Sequence, residues 1–264
     1  VITAHDAPLN VLRHNFIPYR IARTLMAYRV LTRAKRVVSV SPYVAAHLSR
    51  FMLYRGPRQV IPNGMPESLF ASRSTRPRVG PIKFASILQG WGGRKNGRIA
   101  IEAFAELRKR YPDARLMMFG QGHGPGEEAE GWAKSHGLTG GIEFVGELSY
   151  ASLIEMLARD VDALVHPALE EAQPMVLIEA MALGLPIIAG KASGGTAWTL
   201  DEGRAGLLVD VTDPQAVARA MERLAASDDE RALWGQRGLE LATRRFHIRS
   251  VADAYEEIYA ELSR

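Results

Sequence analysis

The chain has 264 residues, 47% of them hydrophobic and 23% charged, with 14 prolines and no cysteine. A core of ample size is available for one large or two modest domains, while disulfides, iron–sulfur clusters and thiolate zinc sites are excluded. The net charge of +4 hides an asymmetry, because residues 1–80 hold 13 Lys/Arg against 2 Asp/Glu and the remainder 20 against 27, which predicts two units with different surroundings.

In chain order, residues 1–4 read as a buried strand end, with His5-Asp6 in a loop. A helix is expected from about Pro18 to Lys35, with Ile21, Leu25, Tyr28 and Leu31 on one side and five arginines interleaved. Val37–Val40 makes a short strand, and Ser41-Pro42 caps a helix running to about Phe51. Gln59–Ile61 is another strand, closed by the turn Pro62-Asn63-Gly64. Ser72–Gly80 is basic and polar, the best linker candidate.

From Ile82 strands and helices alternate. Strands are expected at Lys83–Leu88, Arg115–Phe119, Ile142–Val145, Ala163–His166, Pro186–Ile188 and Gly206–Val209. Helical patterns fall at Gly97–Arg110, Glu127–His136, Tyr150–Ala158 and Pro174–Leu183. This is the signature of an α/β, doubly wound parallel sheet with ligands at the carboxyl ends of its strands. Past Asp213-Pro214 the chain reads as helical to Arg264, with a break near Phe246-His247. The expected division is a partial first domain with linker over 1–78, a second domain over 79–245 and a terminal helix over 246–264 that returns to the first. With only three strands in the first part, the beginning of that domain is expected to be missing.

The longest apolar run, Pro174–Gly190, is broken by Glu179 and by Gly184-Leu185-Pro186, so it reads as core rather than membrane span. Its helix is apolar on nearly every side and should be buried. A buried glutamate is costly without a partner, so Glu179 demands one, while the free N–H groups at the helix start can bind an anion. Two acids, Glu170 and Glu171, stand just before it. Gly90-Trp91-Gly92-Gly93-Arg94-Lys95-Asn96-Gly97 follows a strand and opens a helix, with Arg94 and Lys95 able to neutralise a phosphate. It is equally readable as an ordinary glycine-rich loop.

Other motifs carry less. Gly120-Gln121-Gly122-His123-Gly124-Pro125 places proline where the dinucleotide fingerprint needs its third glycine. Asp160-Val161-Asp162 has an acid-x-acid pattern but reads as a helix-to-strand connection. The seven histidines are scattered without ligand spacing, so no metal is expected. The basic first part could face anionic lipid or simply be a solvated surface; nucleic acid is not expected.

Taken together these motifs resemble the retaining GT-B-fold glycosyltransferases of family 4, the glycosyl transferases group 1. The most specific match is Glu171-x7-Glu179 followed by Ala180-Met181-Ala182-x-Gly184-x-Pro186. Supporting matches are Lys95 with Gly97, Phe119-Gly120-x-Gly122, Phe144-Val145-Gly146, Pro167, Gly194-Gly195 and Gly206-Leu207-Leu208-Val209. Upstream, Thr3-Ala4-His5-Asp6, Val38-Ser39-Val40-Ser41 and Ile61-Pro62-Asn63-Gly64 resemble the later half of the acceptor domain.

The resemblance implies two Rossmann-like domains, the first truncated, with a nucleoside-diphosphate sugar as substrate and no cofactor or metal. It assigns Lys95, with Arg94 and the Gly90 loop, to the diphosphate. Backbone at Val145, between Phe144 and Gly146, contacts the nucleobase, and Gly120 and Phe144 are counted in the donor site. Glu171 faces the sugar hydroxyls, amides from Ala172, Gln173, Pro174, Met175 and Val176 meet sugar and phosphates, Glu179 takes the ribose, and His5 stands near the transferred sugar. The implied acceptor is a glycan or glycolipid made in polysaccharide or lipopolysaccharide synthesis, and the implied place is the cytoplasm, with peripheral contact to an anionic inner membrane face. Two other readings stay open: a nucleotide-sugar-binding module without turnover, and a same-fold sugar-nucleotide epimerase.

Overall fold

The structure, a computed structural model, describes residues 1–5, 17–51, 55–72 and 80–264, and within the first helix the side chains from Leu25 onward. Most of the expected linker, 73–79, and Asp6 lie outside the described residues, as do the side chains of Arg20, Ile21 and Arg23.

The first unit is built from β1 (Ile2–Ala4), α1 (Ile17–Arg33), β2 (Val37–Ser39), α2 (Pro42–Phe51), β3 (Arg58–Val60) and the short α3 (Glu67–Ala71). Its strands pair in parallel in the order β1-β2-β3. β2 is fully buried, as expected of an interior parallel strand. β1 is only partly buried, in contrast to the expectation, because it has a neighbour on one side alone among the described strands.

The packed stripe of α1 also differs from the expected one. Ala27, Leu31 and Ala34, spaced four and three apart, join Val37, Val40, Val44 and Leu48 in a small core. Leu25 and Tyr28 lie round the helix from that stripe and are 59% and 47% exposed, beside exposed Met26 and Val30.

The second unit holds six parallel strands: β4 (Lys83–Ile87), β5 (Arg115–Phe119), β6 (Ile142–Gly146), β7 (Ala163–His166), β8 (Ile187–Gly190) and β9 (Leu207–Val209). Their spatial order is β6-β5-β4-β7-β8-β9. The helices between them are α4 (Gly97–Arg108), α5 (Glu128–Ser135), α6 (Tyr150–Asp160), α7 (Met175–Ala182) and α8 (Thr196–Thr199). α9 (Pro214–Ala226), α10 (Asp228–Arg245) and α11 (Ile248–Leu262) follow the last strand.

Two apolar clusters cover the two faces of this sheet. One gathers α6, α7 and α10 around Leu164, Leu177, Met181 and Leu241. The other gathers α4 and α9 around Phe84, Phe104, Val165 and Met221. Strand order runs outward in both directions from β4, so the chain reverses direction between β4 and β7. In such sheets the crevice at that reversal, outside the strands' carboxyl ends, is where ligands bind. The loops that line it here are 88–96 and 167–174.

Two boundaries depart from expectation, and the expected acid-x-acid connection is found. Pro174 is the N-cap of α7, in an extended conformation, rather than its first helical residue. The terminal helical stretch is divided at Ser227, whose hydroxyl accepts from the Glu230 amide. The Ser-x-x-Glu of a capping box signals that start in the sequence. Asp162 accepts from the Lys83 amide at 2.8 Å and Asp160 pairs with Arg159, so the acid-x-acid segment serves as a connection.

α11 lies on the first unit. Val251 and Ile258 pack with Val38 and Ile61. Met65 and His247 form a parallel bridge, with Met65 N donating to Phe246 O at 2.7 Å and Ile248 N to Met65 O at 2.9 Å. Tyr255 is bonded to Thr3 at 2.9 Å, and Arg36 pairs with Glu261.

Candidate active site

The loop after β4 is folded by Asn96, which takes a left-handed conformation (φ 57°), tolerable for its short polar side chain. Its amide nitrogen donates to Pro167 O at 3.1 Å and to Val211 O at 2.7 Å. Leu169 N in turn donates to Arg94 O at 2.9 Å. These bonds tie the glycine-rich loop to the loop after β7. They bring Lys95 Nζ to 2.7 Å from Glu171 Oε1. His166 Nε2, from the buried end of β7, stands 3.3 Å from the same oxygen.

Glu171 has a side chain only 13% exposed. Burial pushes its carboxyl up, but the hydrogen bond and charge of His166, then those of Lys95, more than reverse this and hold it down at about 2. It is therefore a carboxylate at neutral pH. The backbone behind it is fixed by Gly194-Gly195: Gly195 N donates to Glu171 O at 2.7 Å, and Glu171 bridges Gly194. A side chain at Gly195 would bring its Cβ to 2.1 Å from Ala172 O, so only glycine permits this approach.

The same loop touches the first unit. Ser41 Oγ donates to Ala172 O at 2.6 Å, Asn63 N donates to Gln173 Oε1 at 2.8 Å, and Tyr43 OH donates to Glu170. Ala172 thus offers its carbonyl, and Gln173 its side chain, to the first unit. His5 is exposed at the end of β1. Ala4 O, just before it, accepts from Val40 N, and Val40 leads into Ser41. The strand ends of both units therefore face the segment 170–174.

Pro174 supplies no side-chain cap to α7, so the first amides of that helix, at Met175 and Val176, keep no intrahelical partner. Glu179 lies one turn further on and is partly buried. Burial pushes its carboxyl up, partly offset by a hydrogen bond from the Tyr150 hydroxyl. That hydroxyl is itself pushed up to about 12, by burial and then by the Glu179 charge. The group that bears on the Glu179 carboxyl is thus Tyr150, at the start of α6, a residue that is itself 53% exposed. Tyr150 also lines a cavity of about 540 Å³ between α3 and α6, which includes neither Lys95 nor Glu171.

The remaining expected site residues are distributed around this centre. Gly90, with φ 82°, donates its amide to Gln121 O at 3.0 Å, so the Gly90 and Gly120 loops lie side by side. Phe144 is buried in the core, and Val145 is half-buried where the β5–β6 register shifts. Trp91 turns inward, 5.6 Å from the His123 ring and 5.8 Å from Trp132, with Arg98 across both indoles. Sequence reasoning missed His166 and Tyr150. The signal for His166 was its position at the carboxyl end of a strand beside the reversal point.

Chemically, the arrangement offers an ammonium and open helix-start amides to an anion, a charged carboxylate beside them, and a second carboxyl one turn inside a helix. Among the described residues no group of three or more His, Cys, Asp or Glu could hold a metal ion.

Known proteins share this architecture. A D-inositol 3-phosphate glycosyltransferase of Corynebacterium kroppenstedtii is 31% identical over 62% of this chain and 38% of its own length. The chain therefore spans less than half of that curated relative. Sucrose-phosphate synthase of Thermosynechococcus elongatus is 26% identical, with a TM-score of 0.76 over 99% of this chain and 67% of its own. HepE of Anabaena, solved with UDP and glucose, shares the fold at 19% identity and a TM-score of 0.77, covering 98% of this chain and 71% of its own. The α/β architecture is thus that of the GT-B glycosyltransferases. The family described as glycosyl transferases group 1 matches residues 91–240, more than half of the chain, and the protein belongs to that family.

Proposed function

We propose that this chain carries the donor site of a retaining glycosyltransferase that moves a sugar from a nucleoside-diphosphate sugar to a glycan or lipid-linked acceptor. The observation that carries the reading is the Lys95–Glu171 pair at the strand-order reversal, next to the uncapped start of α7. Departure of a nucleoside diphosphate builds negative charge. Lys95 and the amides of Met175 and Val176 are placed to stabilise charge where it develops. Arg94 supplements them from the same loop. Glu171, a fixed carboxylate, accepts from the donor sugar's hydroxyls, and Glu179 accepts from the ribose. The Gly120 loop and the backbone at Val145 flank the nucleobase. His5 reaches the transferred sugar from the first unit, and the acceptor attacks the face that the leaving group departs from. The UDP and glucose in the HepE structure support a nucleotide-sugar donor.

The acceptor assignment extends to a membrane. α1 exposes Leu25, Met26 and Val30 beside Arg29 and Arg33, a face of suitable chemistry for an anionic bilayer. The cytoplasmic location implied by the family resemblance belongs to this reading as well.

A thermal-shift panel of UDP-, GDP- and ADP-sugars, followed by product analysis, tests the proposal. A sugar transferred, or slowly released to water, with its anomeric configuration kept supports it. Donor binding without any turnover would indicate a binding module, and an isomerised sugar with free nucleotide an epimerase.

A further inference from the structure

We propose that His166 is a positioning residue, whose Nε2–H fixes Glu171 Oε1 so that the carboxylate keeps its place when Lys95 turns to the donor's phosphates. The inference rests on the donor-site reading above. Lys95 and His166 converge on one oxygen, at 2.7 and 3.3 Å. Lys95 sits on a long flexible stem, and its ammonium is the group that phosphates would draw away. A buried carboxylate left with no donor would be costly to keep charged. His166 cannot follow, since it ends the buried strand β7 and is 2% exposed.

The position is otherwise a core position, because Ala163, Leu164 and Val165 ahead of it are all buried and apolar. A histidine there leaves Nδ1 buried without a hydrogen-bond partner among the described residues. An apolar side chain would avoid that cost, so the imidazole is explained by its contact with Glu171. The groups facing this carboxylate are His166 from β7 and Lys95 from the loop after β4, while the Gly194-Gly195 segment contributes backbone alone. Of the two partners, His166 contributes more to holding the Glu171 carboxyl low.

The test uses His166→Leu, which removes the donor, and His166→Gln, whose amide can reach the Nε2 position. Acid unfolding of the chain is followed first. In His166→Leu the midpoint should move up by about one pH unit, His166→Gln should restore most of it, and in a Glu171→Gln background His166→Leu should shift nothing. A His166→Leu midpoint equal to the parent's overturns the proposal. Turnover of UDP-, GDP- and ADP-glucose is followed second. His166→Leu should lower kcat at least tenfold with donor KM within threefold, and His166→Gln should recover most of it. If the parent turns over a donor and His166→Leu matches it, only the role of His166 fails. If the parent binds and turns over none, the donor-site reading fails and takes this one with it.

Discussion

Lys95 and Glu171 are 76 positions apart in the chain, yet their charged atoms are 2.7 Å apart because the strands that precede their loops are neighbours in the sheet. Each offsets the charge of the other, so neither side chain is buried as an unpaired ion. Lys95→Met should lower kcat/KM for a nucleotide sugar by about 10²–10³, the usual effect of removing one donor to a developing oxyanion. Lys95→Arg should keep part of the rate. Steady-state kinetics on purified variants decide this, and an unchanged kcat/KM for the methionine variant would remove Lys95 from the diphosphate role.

Glu171 should also shape stability against pH. Its carboxyl is held at about 2, against an ordinary 4.5. A depressed carboxyl contributes stability that is present above the unfolded value and lost as pH falls through the folded one. The contribution at neutral pH is roughly 3 kcal/mol. Glu171→Gln should therefore be less stable than the parent at pH 7 and approach it near pH 2. Urea titrations at both pH values measure the difference.

Glu179 carries the opposite sign. Its folded carboxyl is raised by burial, so the charged form is disfavoured and stability falls as pH rises through that folded value. Glu179→Gln should match or exceed the parent in Tm at pH 7 while losing nucleotide affinity by about tenfold, the worth of one hydrogen bond to a charged group. Calorimetry with UDP, GDP and ADP reads the affinity. A variant that melts lower and binds equally would contradict both halves.

Gly120 stands at φ 100°, and a Cβ there would lie 2.1 Å from Leu88 O, a backbone atom that cannot move aside. Gly120→Ala should cost about 2 kcal/mol or more, from strain and overpacking together. Gly92→Ala, with open space around it, should change stability by less than about 0.5 kcal/mol. Denaturant midpoints of the two variants give the comparison.

The second unit was legible in its sequence because interior parallel strands are apolar along most of their length, so the runs Ala163–Val165 and Leu116–Phe119 show themselves without any knowledge of their neighbours. The expected residues Lys95, Glu171 and Glu179 could be found by type and spacing, since charges that interrupt glycine-rich or apolar stretches have few structural uses. What joins them could not. The contact between His166 and Glu171 depends on how five residues turn, and that between Tyr150 and Glu179 on the packing of two helices. Trp91 illustrates the limit in the other direction. It lies amid glycines, yet the fold seats its ring against His123 and Trp132. In α1, an arginine-interrupted pattern is compatible with more than one buried stripe, and the small Ala27, with Ala34 just past the helix end, packs beside Leu31 where the larger Leu25 and Tyr28 do not.

The position of α11 bears on how the chain is made. Val38 and Ile61 are covered by Val251 and Ile258, residues about 200 positions later. A ribosome adding roughly 5–20 residues per second needs at least ten seconds to span that gap, during which the early β-layer waits with an oily flank uncovered. Until α11 is made, Val38 and Ile61 face water, and removing α11 would expose the same two side chains and destabilise the first unit.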